Sequence, residues 1–225
     1  MSAPAANVPG PSGGVGHEAQ AGAHAAGRLR GMIADGVLPP GAKLSEQKVA
    51  AELGISRNTL RESFSMLAAE GLVRRVPHRG VTVAEPTAED VRDLYAARLV
   101  LEPEALLWGE LDDAAVGRLR SVVTTALDAV AAGDVPGMSD ANQRFHRELV
   151  AAAGSATLLT EMDRMLARMR LVFHAMSGDS GFHARYAQDN AEVLEALGTG
   201  DREAAARLLR RSLENARDEV LEQLG

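Results

Sequence analysis

The chain has 225 residues, 46% of them apolar but only 3% aromatic, and a formal charge of −7. A sizeable core can be buried, but it has to be built from Ala, Leu, Val and Met, and Ala and Leu favour helices. With no cysteine, disulfides and thiolate metal sites are excluded. No apolar run approaches the roughly 18 residues that cross a membrane, and the start lacks the basic-then-apolar order of a signal peptide, so a cytoplasmic protein with no membrane partner is expected. The charge is unevenly spread. Residues 17–84 carry nine Lys/Arg against six Asp/Glu, and residues 85–225 carry fifteen against twenty-five. A mildly basic N-terminal module is joined to an acidic C-terminal one, which suits a nucleic-acid binder better than the sum does.

In chain order, residues 1–16 are rich in Pro, Gly and Ser without periodicity, which predicts a disordered tail. Residues 18–35 read as a first helix, ended by Gly36 and the break Pro39-Pro40-Gly41. Ser45 can cap a second helix with Val49, Ala50 and Leu53 inward, and Gly54 permits a sharp turn. Ser56 can cap a third, in which Leu60, Phe64 and Leu67 share a face by the 3.6-residue period. Gly71 stops it. Leu72–Val76 and Val81–Ala84 alternate as two short strands around the turn Pro77-His78-Arg79-Gly80. Residues 17–84 thus form a winged helix-turn-helix. Beyond the linker Glu85-Pro86-Thr87, helical spans at 88–108, 112–132, 138–153, 156–175, 183–198 and 201–223 predict an all-α six- to seven-helix antiparallel bundle over residues 85–225. The fold class is therefore mainly α.

The third helix would present Ser56, Arg57, Asn58, Thr59 and Arg61 in its first turns, where a recognition helix reaches base edges in the major groove. Arg pairs bidentately with guanine and Asn with adenine, while Ser and Thr suit phosphates. Arg74, Arg75, His78 and Arg79 give the wing a basic tip, and Gly80 lets its backbone come close. The alternative is a solvated basic helix on a generic helical domain. Against it stand cap, turn glycine, apolar spacing, helix stop and basic hairpin in the right order.

The stretch GVLPPGAKLSEQKVAAELGISRNTLRESFSMLAAEGLVRRVPHRGVTV resembles the N-terminal domain of the GntR family of bacterial transcription regulators. The family's pattern of small residue, Ser-Arg, two residues, then Arg-Glu appears within Gly54–Glu62, with Ile55 just before the Ser. The resemblance implies that Arg57, Thr59 and Arg61 contact operator DNA, that His78-Arg79-Gly80 is the wing tip, and that Gln47 also touches DNA.

Four bundle helices point polar side chains along apolar stripes. Arg98 lies among Val91, Leu94, Leu101, Ala105 and Trp108. Asn142 and His146 lie among Met138, Phe145, Leu149 and Ala153. Asn190 is flanked by Tyr186, Val193, Leu194 and Leu197, with His183 two turns earlier. Ser212 is flanked by Leu208, Leu209, Ala216 and Val220, with Asn215 near the edge. Together they could line a polar cavity, the usual place for a ligand in a helix bundle. A single His or Asn on an apolar face is more often a satisfied core group, and Arg98 could pair with an internal Glu. Four such faces favour the cavity, and Arg98 suits a carboxylate-bearing effector.

LYAARLVLEPEALLW and NQRFHRELVAAAGSATLL resemble the FCD effector domain of the FadR subfamily. Many members hold a divalent metal with Asp or Asn and three His. Here the first pair falls on Asn142 and His146, and the other two positions are Asn190 and Ser212. Two amides, a hydroxyl and one imidazole are a poor Zn²⁺ set. No cofactor is expected; a metal, if held, would sit on His146 and Asn142. The expected protein is a homodimer on double-stranded operator DNA, acting as a repressor that responds to a small organic acid bound by Arg98, Asn142, His146, Asn190, Ser212 and Asn215. A constitutive DNA-binding dimer is the alternative. An enzyme is disfavoured because no nucleophile–base–orienter set, carboxylate dyad or phosphate loop is present.

Overall fold

The computed structural model describes residues 14–174, 176 and 179–224. The expected disordered tail falls outside the described residues up to residue 13. Helix α1 (Gly14–Ala34) begins ahead of the expected position 18. It is followed by β1 (Lys43–Leu44), α2 (Glu46–Leu53), α3 (Arg57–Ala69), β2 (Val73–Val76) and β3 (Gly80–Val83). The strands form one sheet in the order β1-β3-β2, with antiparallel pairing throughout. Strand β1 was not anticipated, because two residues after a Pro-Pro-Gly break carry no readable alternation. Leu29, Leu60, Phe64, Leu67, Leu72, Val81 and Val83 form the core of this head, and Leu171 from the bundle packs into it.

The head's turns follow from its caps. Ser45 accepts from the Lys48 amide at the start of α2, and Ser56 accepts from the Thr59 amide at the start of α3. Between them Gly54 ends α2 at φ 68°, a left-handed conformation that side chains with a Cβ resist. This sharp turn sets α3 across α2.

The bundle comprises α4 (Ala88–Trp108), α5 (Asp113–Ala132), α6 (Val135–Ala151), α7 (Ala156–His174), α8 (Ser180–Gly198) and α9 (Arg202–Leu224). Six helices among the described residues match the lower expected number. Thr87 and Asp90 cap α4 reciprocally. Two starts move upstream of the expected ones because aspartates cap them. Asp134 accepts from Gly137 before α6, and Pro136 fits the first turn, which needs no amide donor. Asp179 accepts from Phe182 before α8. Helix α6 contacts α4, α5, α7 and α8, so it sits centrally.

Trp108 corrects the expected apolar stripe of α4. It is 82% exposed, and its Nε1 donates to Glu104 at 2.9 Å. The buried positions of this helix are Val91, Leu94, Tyr95, Arg98, Glu102, Pro103, Ala105 and Leu106, and Trp108 lies off that line. Among the described residues no helix is long and apolar enough to cross a membrane.

Candidate nucleic-acid interface and buried polar centre

The head presents Gln47, Arg57, Asn58 and Arg61 to solvent. Arg61 donates to Glu46 at 3.0 Å, an exposed pair that holds it only weakly. Asn58 reaches Glu62 at 3.5 Å, at the limit of a hydrogen bond. Ser56 is exposed and Thr59 buried, and the two hydroxyls are engaged with each other at 2.9 Å, so both serve the start of α3. In the wing Arg75, His78, Arg79 and Gly80 are exposed. The tip is tight, with His78 at φ 62°, Gly80 at φ 87° and the Arg79 amide bonded to the Val76 carbonyl. Arg74 is not part of a free tip. It donates to Asp90 on α4 at 2.9 Å and ties the wing strand to the bundle.

The polar groups of four bundle helices do converge, but they satisfy one another. The Arg98 Nε donates to Glu102 Oε1 at 2.6 Å, and the other Glu102 oxygen lies 2.5 Å from His146 Nδ1. Arg98 is 2% exposed and Glu102 0%. Burial alone would push the Glu102 carboxyl upward, but Arg98 and His146 more than reverse this and hold it at about 2. Burial lowers His146, against the pull of Glu102. The Asn190 Nδ2 donates to Asn142 Oδ1 at 2.8 Å, and the Ser212 hydroxyl donates to Asp189 Oδ2 at 2.6 Å. Tyr95 flanks Arg98, and its buried hydroxyl lies within the reach of that guanidinium but has no acceptor for its own proton among the described residues.

Arg98, Asn142, His146 and Ser212 line a common cavity with Tyr95 and Tyr186, but its volume is only about 10 Å³, room for one water at most. Asn190 joins through Asn142. Asn215 is exposed on α9 and stands apart, a correction to its expected place at the cavity edge. His183 is buried against Phe173 and Phe182 by ring-edge contacts. Sequence reading missed Glu102 and Asp189 as members of this centre. The clue to Glu102 was its spacing, four residues after Arg98, which places both on one helix face. Asp189 had no such clue.

A metal of the kind the FCD resemblance implies does not fit this donor set. His146 is the one imidazole among the four positions, the Asn142 oxygen is engaged by Asn190, and Ser212 is bonded to Asp189; the Glu102 contact at His146 Nδ1 leaves Nε2 free and does not itself exclude a metal. Among the described residues no group of three His, Asp or Glu is arranged to hold one.

A capped recognition helix with an exposed basic face, a basic wing and a helical bundle tied to that wing define a DNA-binding transcription regulator. Comparison with known proteins gives the family. Residues 21–83 match the bacterial regulatory proteins of the gntR family, and residues 93–215 match the FCD domain. The chain belongs to the GntR family, in its FCD-containing FadR subfamily. A Rhodococcus sp. RHA1 structure described as a GntR transcriptional regulator superposes with a TM-score of 0.82 at 36% identity, covering 90% of this chain and 98% of that one. An uncharacterized HTH-type transcriptional regulator of Streptomyces ambofaciens is 31% identical over 86% of this chain and 82% of its own length. The gluconate operon transcriptional repressor of Bacillus licheniformis is 26% identical over 90% of this chain and 86% of its own length. The family and these relatives are regulators, not enzymes.

Proposed function

We propose that the chain is a cytoplasmic, homodimeric repressor. Each copy places α3 and its wing in one half-site of an inverted repeat. A small carboxylate metabolite binds in the bundle without a metal and changes operator affinity. Repression is supported by the likeness to a gluconate operon repressor. Dimerisation is supported by two large apolar side chains left exposed on α4, Val100 at 69% and Trp108 at 82%.

The observation that carries the ligand reading is the Tyr95 hydroxyl, buried beside the Arg98 guanidinium, which can only donate to it, so that its own proton has no acceptor among the described residues. A buried hydroxyl without a partner costs free energy that an entering acceptor recovers. The described form is closed, with Glu102 occupying Arg98 as a ligand carboxylate would. Entry therefore requires α4 to move away from α6 and α9. Helix α4 is also tied to the head, because Asp90 in its first turn binds Arg74 of the wing, and the same carboxylate reaches Arg168 of α7, whose Leu171 packs into the head core. A ligand that favours the open bundle shifts the wing with it, and only that differential affinity produces a response.

The test is a melting-temperature screen of the full chain with small organic acids, sugar acids and amino acids, repeated with Tyr95→Phe. The expected result is a shift for one acid that Tyr95→Phe reduces without loss of stability. The constitutive dimer is favoured by the mutual satisfaction of Arg98, Glu102 and His146 and by the small cavity. No shift across the panel, with unchanged operator binding, identifies that reading instead.

A further inference from the structure

A much larger cleft than the central cavity lies elsewhere. It encloses about 630 Å³ between α1 of the head and helices α6 and α7 of the bundle. That is within the size of ordinary small-molecule sites, unlike the central cavity. Five arginines line it, Arg30, Arg144, Arg147, Arg164 and Arg170, against two acids, Glu70 and Asp163. Four of the five are already committed. Arg30 is held by Glu70 at 2.6 and 2.8 Å, Arg147 by Asp163 at 2.7 Å, Arg164 by Glu161 and Arg170 by Asp140. Arg144 is exposed and enters none of the ion pairs formed among the described residues, unlike its neighbours Arg147 and Arg170.

A second, independent group points into the same cleft. Gln143 lines it and is 5% exposed, yet its Nε2 has no hydrogen-bond partner. Its neighbour Asn142 lines the central cavity instead. Helix α6 therefore turns one face to the bundle centre and an adjacent one to the cleft. A buried amide donor without an acceptor lacks a partner, and the exposed Arg144 guanidinium beside it, held by no carboxylate, favours a partner carrying negative charge.

We infer that this interdomain cleft binds a small oxyanion, a phosphate ester or a polycarboxylate, with Gln143 and Arg144 as its principal donors. This site is separate from the one around Arg98 and does not depend on it. Its walls come from both modules, so occupancy favours one placement of α1 against α6 and α7 and thereby one placement of the DNA-reading head. The paired arginines, Arg30 with Glu70 on the head side and the other three within the bundle, can share their remaining N–H donors with the anion without giving up their carboxylates.

The test titrates the full chain with sodium phosphate and, separately, with sodium citrate, each against sodium chloride at equal ionic strength. Melting temperature and heat of binding are the readouts. The expected result is a saturable shift with at least one anion, and which one responds separates phosphate from carboxylate recognition. Arg144→Ala removes an exposed side chain outside any pair, so folding is retained, and affinity should fall about tenfold. Gln143→Leu keeps the bulk and should weaken binding similarly. No saturable shift with either anion overturns the inference. A shift that both variants retain also overturns it. If such a shift is instead lost in Tyr95→Phe, the anion is bound at the central site, which refutes the cleft and supports the ligand reading.

Discussion

The head and the bundle centre solve opposite problems with similar residues. In the head, Gln47, Arg57, Asn58, Arg61, Arg75 and Arg79 stand in solvent, ready for a partner the chain does not contain. In the bundle, Arg98, Asn142, His146, Asn190 and Ser212 are buried and find their partners inside the chain. An exposed cation costs the fold nothing and can be spared, whereas a buried one must be matched. The same substitution should therefore damage DNA binding in one region and stability in the other.

The largest expected contrast comes from Glu102→Ala. It leaves the Arg98 guanidinium buried without its carboxylate, and loss of one partner of a buried pair costs about 3–5 kcal/mol. Urea denaturation reads this directly; a loss under about 1 kcal/mol would mean that water replaces the carboxylate and the centre is looser than described. Next is Arg61→Ala. Specific DNA affinity should fall by about 1–3 kcal/mol if the side chain reads a base, while stability changes by less than about 0.5 kcal/mol because its pair with Glu46 is exposed. Unchanged affinity for a selected operator removes Arg61 from the reading set.

Ser56→Ala crosses the divide. Ser56 and Thr59 form the cap of α3, so the substitution should cost about 1 kcal/mol of stability. Restoring activity by lowering the temperature would confirm a structural role, and a pure affinity loss at full stability would return Ser56 to the DNA-contacting set. The last effect is a slope spread over a pH range rather than a single loss. His146 is lowered by burial, so the unfolded chain takes up its proton first as pH falls. The stability it contributes is present above the unfolded histidine value near 6.5 and is lost on acidification below it. Between pH 7 and 5 the wild type should lose up to about 1.4 kcal/mol per pH unit from this group, and His146→Asn should be flatter. His183, also lowered by burial, adds a slope that both proteins share. Equal slopes would show that His146 keeps its proton when folded.

The winged head was legible because each of its devices is local. Caps at Ser45 and Ser56, the left-handed Gly54 and the apolar period of α3 are all set by residues within one or two turns. Strand β1 escaped because its pairing with β3 is a long-range matter of two residues. The bundle helices were legible by period, and their starts shifted only where Asp134 and Asp179 capped them upstream. The polar centre was legible as a set of positions but not as a set of bonds. Nothing in the spacing of Asp189 and Ser212, on different helices, says that they meet at 2.6 Å. Trp108 was misplaced for the same kind of reason, since one residue's offset around α4 carries a side chain out of the core.

The most direct measurement is equilibrium binding of the full chain to a selected operator duplex, titrated with the acid that gives the largest melting shift. A regulator whose bundle opens around Arg98 should change operator affinity by about 5- to 150-fold at saturation, with the change reduced in Tyr95→Phe. An operator affinity that stays the same while the acid is bound would contradict the coupling of the bundle centre to the DNA-reading head.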